Sequence, residues 1–166
     1  MKYIIWIFIF VVTAAHGQDT KNSITIEGRV KDRKIYSFND LKQFPGVQLD
    51  SLQVYNHLMV LHGVSRNIKG VLLKDVLNGV EFDAETPKLL SEYYIVCMAT
   101  DNYKVVFSWN EIFNSPAGDK VMIAVEKDGQ SATAHKDGIV LVTPTDRATG
   151  RRFVKEFNRI IIQRVN

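Results

Sequence analysis

Short apolar runs separated by polar turns are the most regular feature of the second half of the sequence. "YYIVCMA" and "YKVVF" flank the turn "TDNY", a pattern that predicts a β-hairpin. "KVMIAVEKDGQ" predicts a strand that enters an Asp-Gly turn, and "GIVLVTP" and "RIIIQRV" predict two further strands. A short helix is expected at "SWNEIF", where Ser108 and Glu111 have the spacing of a capping box.

The first half of the chain has a more mixed pattern. "SITIEGRV" alternates apolar and polar residues and predicts an opening strand. "SFNDLKQFPG" predicts a short helix that is capped by Ser37 and ends at Pro45 and Gly46. "VQLDSLQVYNHLMVLHG" is expected to be extended, and residues 85–91 are expected to add a further turn or helix. "GVLLKDVLNGV" predicts a helix that stops at Gly79. Its apolar face would be formed by Leu72, Leu73, Val76 and Leu77.

Strands therefore dominate, and short helices lie between them. The regular strand-helix repetition of a doubly wound fold is absent from the pattern. The predicted class is α+β with a mostly antiparallel β core. The length corresponds to one domain, and no internal repeat or interdomain linker interrupts it.

The N-terminal segment "MKYIIWIFIFVVTAAHG" has the features of a secretory signal peptide: a Lys near its start, an apolar run and then small residues. We predict that residues 1–17 are cleaved and that a single domain of residues 18–166 is exported to the periplasm or the medium. A permanent membrane anchor is the alternative. Because the apolar run from Ile4 to Val12 is shorter than the roughly 20 residues that span a bilayer, cleavage is the better interpretation.

Charge and cysteine content exclude several classes of function. A formal net charge of +3 gives no reason to expect nucleic acid as a partner. The single Cys97 cannot form an internal disulfide, and its apolar surroundings predict a buried thiol rather than a metal ligand or a reactive group. The sequence contains no Cys-x-x-Cys, Cys-x-x-Cys-His or His-Glu-x-x-His motif.

A basic segment near the C-terminus, "TPTDRATGRRFVKEFNRIIIQ", is the main candidate for a binding site. Its cations and its glycine could hold an anion, because Arg pairs bidentately with phosphate and Gly lets the backbone approach it closely. The alternative is a solvated turn whose cations pair with Asp146 and Glu156 at little net gain. The cations of the segment are Arg147, Arg151, Arg152, Lys155 and Arg159, and Gly150 lies among them.

Five segments, in one order, resemble the molybdopterin-binding domain of the sulfite oxidase family. They are "GRVKDRKIYSFNDLKQFP", "KGVLLKDVL", "ATDNYKVVFSWNEIF", "KVMIAVEKDGQ" and "GIVLVTPTDRATGRRFVKEFNRIII". The resemblance implies an α+β fold with a largely β core and a basic, Gly-containing stretch that holds the phosphate of the molybdenum cofactor. The matching positions here are Gly150, Arg152, Val154, Lys155, Arg159 and Ile160. With this resemblance, the predicted cofactor-binding residues are Arg147, Gly150, Arg151, Arg152 and Lys155.

The chain departs from that family where the chemistry is done. Catalytic members of the family bind molybdenum through a Cys thiolate between the first helix and the next, whereas residues 46–70 contain no Cys. His57 and His62 lie there instead, and imidazole does not replace a soft anionic thiolate. Two His residues so placed are more often ordinary polar residues, so no metal site is predicted. Glu156 stands where the family commonly has Trp, and its charge would repel a phosphate.

Three functions remain open on the sequence alone. The protein is a non-catalytic module that binds a small anion or a pterin-type compound, a molybdenum-cofactor-dependent oxidoreductase subunit, or an exported interaction protein without a small ligand. The first is preferred because the fold is kept and the thiolate is lost. Molybdopterin is expected only by resemblance, and the partner would be a small anionic ligand or a periplasmic protein. Arg152 and Lys155 are expected to dominate binding, with Arg147 and Arg151 as steering charges.

Overall fold

The computed structural model describes residues 22–165, so the predicted signal peptide and its cleavage point lie outside the described residues. Ten strands and three short α-helices follow one another in this part of the chain. The strands are β1 (Ser23–Gly28), β2 (Lys34–Ser37), β3 (Gly46–Tyr55), β4 (Leu61–Leu72), β5 (Tyr93–Ala99), β6 (Lys104–Ser108), β7 (Met122–Lys127), β8 (Gln130–Ser131), β9 (Val140–Val142) and β10 (Phe157–Arg164). The helices are α1 (Phe38–Leu41), α2 (Leu73–Asn78) and α3 (Trp109–Phe113), and two 3₁₀ helices span Pro87–Glu92 and Thr149–Arg152.

The strands form two sheets, as expected for an α+β fold dominated by strands. The first has the order β2-β1-β10-β5-β6, and the second has the order β3-β4-β7-β8 with β9 also paired to β7. All strand pairings are antiparallel except that of β1 with β10, which is parallel. The prediction of a mostly antiparallel core is confirmed for these residues. The parallel pair joins the two ends of the described chain, a long-range contact that no local pattern reveals.

One face of each sheet packs on a shared core. A single cluster of buried residues includes Ile24, Ile95 and Ile160 of the first sheet and Ile123 and Leu141 of the second. Cys97 lies in this cluster and is fully buried, which confirms the predicted burial of its side chain. Burial of this many aliphatic side chains supplies the main favourable term in folding.

The opposite face of the second sheet is also covered. A smaller cluster contains Leu52, Ile68, Met122 and Val140, and Phe153 packs against it. Phe153 comes from the basic segment, so that segment is part of the fold rather than a free surface turn.

Strand β4 is longer than the sequence pattern indicated. Leu72 was predicted on the apolar face of a helix, but it is the last residue of β4 and pairs with Met122. Helix α2 begins at Leu73 and buries Leu73, Val76 and Leu77 before Gly79 caps it. The apolar run is compatible with a helix or a strand. Val71 and Leu72 belong to the strand because they pair with Ile123 and Met122 of β7.

The predicted helix caps are formed with one exception. Ser37 and Asp40 make a complete capping box at α1. At α3 the Ser108 hydroxyl accepts a hydrogen bond from the backbone N–H of Glu111 at 3.0 Å. The Glu111 carboxylate does not complete that box, because it binds Arg152 instead.

Within residues 22–165, none of the helices has the length and the apolarity that a membrane-spanning segment needs.

Candidate functional site

The 3₁₀ helix Thr149–Arg152 is attached to the end of strand β3 by a side chain. The Thr149 hydroxyl accepts a hydrogen bond from the backbone N–H of Tyr55 at 3.0 Å and donates one to the carbonyl of Gln53 at 2.6 Å. Thr149 is buried. One threonine therefore satisfies two backbone groups at the end of an edge strand and brings the basic segment beside the β3–β4 hairpin.

Gly150 lets the two segments approach each other. A Cβ atom at this position would lie 2.7 Å from the Tyr55 carbonyl oxygen and 3.3 Å from a Val54 methyl carbon. Gly150 was predicted to let the backbone approach a phosphate. The structure shows a close approach of a different kind, between this 3₁₀ helix and the hairpin.

The C-terminal part of the basic segment is held by other strands. Leu141 of β9 and Val154 exchange two backbone hydrogen bonds of 2.9 Å, and the Tyr103 hydroxyl donates to the Arg151 carbonyl at 2.5 Å. Contacts to β3, β9 and the β5–β6 turn thus hold the basic segment in one position.

A cleft of about 410 Å³ lies between the basic segment and the end of the hairpin. This volume is within the range of small-molecule sites, roughly 300 to 1,000 Å³. Cationic, imidazole, amide and aromatic groups line the cleft, and no carboxylate is among them: Val54, Tyr55, Asn56, His57, His62, Gly150, Arg151, Phe153 and Lys155. The cleft thus joins two segments that are distant in sequence: Tyr55 and Thr149, which are hydrogen-bonded to each other, are 94 residues apart.

The end of the hairpin is organised by Asn56. Its side-chain oxygen accepts hydrogen bonds from the backbone N–H groups of Leu58 and Val60 at 2.9 and 3.0 Å, and its amide nitrogen lies 3.3 Å from Nε2 of His62. These contacts place His57 and His62 on the same cleft. In the sequence the two His residues had no evident common role, because nothing local showed that the hairpin returns over the basic segment.

Arg151 and Lys155 are the two permanent cations of the cleft. Arg151 is exposed, and within residues 22–165 no ion pair holds its side chain. Lys155 lies 3.2 Å from Asp137, yet its side chain remains 57% exposed. Both can therefore turn toward a ligand, and Arg151 can do so without breaking an ion pair.

Arg152 is placed differently from its neighbours. Its guanidinium donates two hydrogen bonds to the Asp146 carboxylate, at 2.7 and 2.5 Å, and one to Glu111 at 2.7 Å. It also lies over the Phe107 ring, 4.3 Å from the centroid. The hydrogen bonds that Arg152 donates to Asp146 are the main cause that raises the pKa of Arg152, so it stays charged. With both carboxylates engaged, Arg152 serves the packing of α3 and the basic segment rather than the cleft.

The remaining predicted cations lie away from the cleft. Arg147 is exposed on a neighbouring cleft that also includes Asp146 and Arg66. Arg159, on β10, forms an ion pair with Glu27 at 3.7 Å. Of the five predicted binding residues, the structure thus places Gly150, Arg151 and Lys155 on one cleft, and it places Arg147 and Arg152 elsewhere.

Asp137 links the cleft to a buried Lys. It lies 3.1 Å from Lys127 and 3.2 Å from Lys155, and its side chain is only 9% exposed. Burial alone would raise the pKa of Asp137, but the hydrogen bonds from Lys127 and Lys155 together lower it below the usual value. Asp137 is therefore charged at neutral pH and holds Lys155 at the cleft.

The residues of the cleft do not fit a molybdenum ion held by a protein thiolate. Cys97 is the only Cys of the sequence, it is fully buried, and burial raises the pKa of its thiol. Among residues 22–165, no group of three or more His, Cys, Asp or Glu side chains is arranged to hold a metal ion. The residues present do fit a phosphate, which Arg and Lys bind through charge-assisted hydrogen bonds.

The sequence did not reveal the residues that support the site. Thr149, Asn56 and Asp137 act through contacts with distant residues, so no local motif marks them. Asp146 and Glu111 were noticed only as a possible surface partner and a helix cap. The structure pairs Glu111 and Asp146 with Arg152, and Asp137 with Lys155. The presence of these carboxylates in the sequence could have indicated that some cations of the basic segment are already paired.

No protein-family model matches the sequence, and no curated protein matches it. Among solved structures, the chain is similar to the sulfane dehydrogenase SoxCD from Paracoccus pantotrophus, with a TM-score of 0.62 and 19% sequence identity. The match covers 85% of this chain and 38% of that chain, so this chain spans less than half the length of its structural neighbour. The likeness shows the fold alone, and it supports the sulfite-oxidase-like α+β fold that the sequence predicted.

Proposed function

We propose that this protein is an exported, non-catalytic binding module with a sulfite-oxidase-like fold, and that its ligand is a small phosphate-bearing compound of the pterin type. The observation that carries the proposal is the composition of the cleft. Arg151, Lys155, His57 and His62 line it from two distant segments, and no carboxylate does so. Such a site favours an anion because Arg151 has no acidic partner among residues 22–165, and Lys155, which pairs with Asp137, remains largely exposed.

The walls of the cleft favour a ligand with a flat apolar part as well as an anionic one. Tyr55, Phe153 and Val54 contribute aromatic and aliphatic surface next to the cations. The Tyr55 hydroxyl donates to Gln53 at 2.8 Å, which holds its ring in place. Apolar walls with a few polar groups are typical of sites for small organic ligands. The phosphate would meet Arg151 and Lys155, and a ring would lie along Phe153 or Tyr55.

The two other functions are supported less well. An oxidoreductase of the sulfite oxidase type needs a thiolate at the metal, and the buried Cys97 is not available for that role. A purely structural or interaction protein does not need a cleft lined by cations without acids. Elemental analysis of protein from its native host separates the first of these from the binding module, since molybdenum in near-equal molar amount would favour the enzyme.

The test of the proposed function is a calorimetric titration with inorganic phosphate, sulfate and a pterin phosphate. The variants Arg151→Ala and Lys155→Ala should each weaken binding by roughly 1 to 3 kcal/mol, the range for a lost charge-assisted hydrogen bond. Arg147→Ala is the matched control, because Arg147 is an equally exposed cation of the same segment that lies outside the cleft. Its affinity should stay close to that of the wild type.

Two results would overturn the proposal. Flat titrations with all three ligands would leave a fold without a small-ligand site. Equal losses in Arg147→Ala, Arg151→Ala and Lys155→Ala would show a general charge effect rather than a defined cleft.

A further inference from the structure

The turn that joins β3 to β4 and the first residue of β4 carry four consecutive exposed apolar side chains. Leu58 is 69% exposed, Met59 53%, Val60 55% and Leu61 48%. Scattered exposed apolar residues are ordinary on protein surfaces, but a contiguous group of this kind marks an interaction site. We refer to residues 58–61 as the apolar tip.

The apolar tip is held in a defined shape although its side chains are unpartnered. The Asn56 side-chain oxygen receives two backbone hydrogen bonds from the tip, and the Asn56 N–H donates to the Val60 carbonyl at 3.1 Å. Met59 has a φ of 59°, in the left-handed region that residues other than Gly adopt only at a cost in free energy. The apolar side chains are therefore presented outward on a preformed turn, and little ordering is required when they meet a partner.

The cationic cleft lies directly behind the apolar tip. His57 and His62 flank the tip on either side and line that cleft together with Arg151 and Lys155. An apolar end with cations at its base is the arrangement that suits the boundary between lipid headgroups and acyl chains.

We propose that the apolar tip inserts into the interface of an anionic phospholipid bilayer, with Arg151 and Lys155 at the level of the headgroup phosphates. The insertion is peripheral and involves the end of one hairpin. It requires no membrane-spanning helix.

The pattern of exposure favours a bilayer over a protein partner. A hairpin that docks by strand addition uses an extended strand, in which only every second side chain faces the partner. Residues 58–60 of the apolar tip form a turn and not an extended strand. Here four successive side chains are all about half exposed or more. A fluid apolar layer surrounds a convex tip from every side, and a protein groove does not.

The part of this inference that concerns Arg151 and Lys155 rests on the proposed function, but the insertion of the tip does not. The two ideas therefore fail separately. Phosphate titrations report on the cleft alone, and a probe on the tip reports on insertion alone.

The experiment places a polarity-sensitive fluorophore on the tip of the exported protein, at Met59→Cys. Cys97 is fully buried and should stay unlabelled in the native protein. Val106→Cys is the matched control, because Val106 is 52% exposed, nearly the same as Met59, and lies on β6 of the other sheet. Both labelled proteins are mixed with vesicles of phosphatidylcholine alone and of phosphatidylcholine with phosphatidylglycerol. An apolar N-terminal segment that stayed attached would be present in both labelled proteins, so the difference between residues 59 and 106 would still report on the tip.

We expect the probe at residue 59 to brighten and shift to the blue with the anionic vesicles, and the probe at residue 106 to remain unchanged. Arg151→Gln in the Met59→Cys protein should weaken the partition about fivefold, the effect of one cation near an anionic surface. Replacing Leu58 and Val60 by Ser should abolish the shift.

Several outcomes would overturn the inference. No shift at residue 59 with either kind of vesicle would show that the tip does not enter lipid, whether or not phosphate binds the cleft. Equal shifts at residues 59 and 106 would show nonspecific adsorption. Equal shifts with neutral and anionic vesicles would overturn the proposal of an anionic bilayer, because they would show that Arg151 and Lys155 do not contribute.

Discussion

The backbone N–H of Tyr55 donates to the hydroxyl of Thr149 at 3.0 Å, and this hydrogen bond joins the β3–β4 hairpin to the basic segment. The same hydroxyl donates to the Gln53 carbonyl. The cleft is bounded by these two parts of the chain, so its shape depends on a side chain that does not itself line it.

Thr149→Val should destabilise the protein and weaken anion binding together. The substitution keeps the shape but removes both hydrogen bonds, and it leaves two backbone groups of β3 unpaired. We expect a loss of about 1 to 3 kcal/mol in the free energy of unfolding, measured by urea denaturation. Thr149→Ser keeps the hydroxyl and is the control. Unchanged stability in Thr149→Val would mean that water replaces the hydroxyl at no cost.

Gly150→Ala should be poorly tolerated for a steric reason. The new methyl group would meet the Tyr55 carbonyl oxygen at 2.7 Å and force the 3₁₀ helix away from the hairpin. Overpacking of this kind costs about 1 to 3 kcal/mol, which a thermal melt will detect. Gly46→Ala is the matched control, since a Cβ at Gly46 has nothing within 4 Å. Equal melting temperatures for the two variants would refute the close approach.

Arg152→Ala should act on stability far more than on the affinity for phosphate. It removes the partner of Asp146 and Glu111 and leaves their carboxylates facing each other in a half-buried site. We expect a loss of roughly 2 to 4 kcal/mol, somewhat below the effect of breaking a fully buried ion pair. Arg152→Lys should restore only part of it, because Lys lacks the bidentate fork.

The measurement that decides between the two roles of Arg152 is a phosphate titration of Arg152→Ala under conditions where it is folded. An affinity close to that of the wild type assigns the residue to packing. A loss as large as that of Arg151→Ala would return Arg152 to the binding site, as the resemblance to the sulfite oxidase family implied.

Asp137→Asn should be destabilising at neutral pH and harmless in acid. In the folded protein the pKa of Asp137 lies below its ordinary value of 3.8. Its ionised form therefore contributes stability that is fully present above pH 3.8 and is lost as the pH falls through the lower folded pKa. Urea denaturation of both proteins from pH 7 downward should show the difference, about 1 to 3 kcal/mol, shrinking only below pH 3.8. A constant difference across the pH range would exclude the ion pairs as its cause.

Glu126→Gln serves as the control for that experiment. Glu126 also accepts a hydrogen bond from a Lys, Lys69, at 2.7 Å, but the Lys69 side chain is 50% exposed. Ion pairs on the surface contribute about 0 to 1 kcal/mol, so this substitution should change stability little at any pH.

Cys97 should react with a thiol reagent only when the protein unfolds. The side chain is fully buried among aliphatic residues, and burial raises the pKa of the thiol. Labelling should be slow in buffer and fast in denaturant, while the exposed thiol of Met59→Cys should label at once. Fast labelling of the wild type in buffer would reopen a redox role for this residue.

Local sequence was sufficient for much of this architecture. Strand alternation, the Asp-Gly turn and the Ser37 cap depend on residues close in sequence, so they were predictable from "SITIEG", "EKDGQ" and "SFND". The burial of Cys97 followed from an apolar run, and the order of five motifs indicated a fold that the structural neighbour supports. The run of cations in the basic segment also marked it as a candidate site.

Tertiary structure alone decided which cations are free. Arg151 and Arg152 are adjacent in sequence and identical in chemistry, yet one is exposed at the cleft and the other is enclosed by Asp146 and Glu111. His57 and His62 also depend on tertiary structure. They line the cleft because the hydrogen bonds of Thr149 hold the basic segment beside β3. Charge and propensity are properties of a residue and its neighbours in the chain. The pairing of charges depends on which distant segments pack together, and that is set by the core.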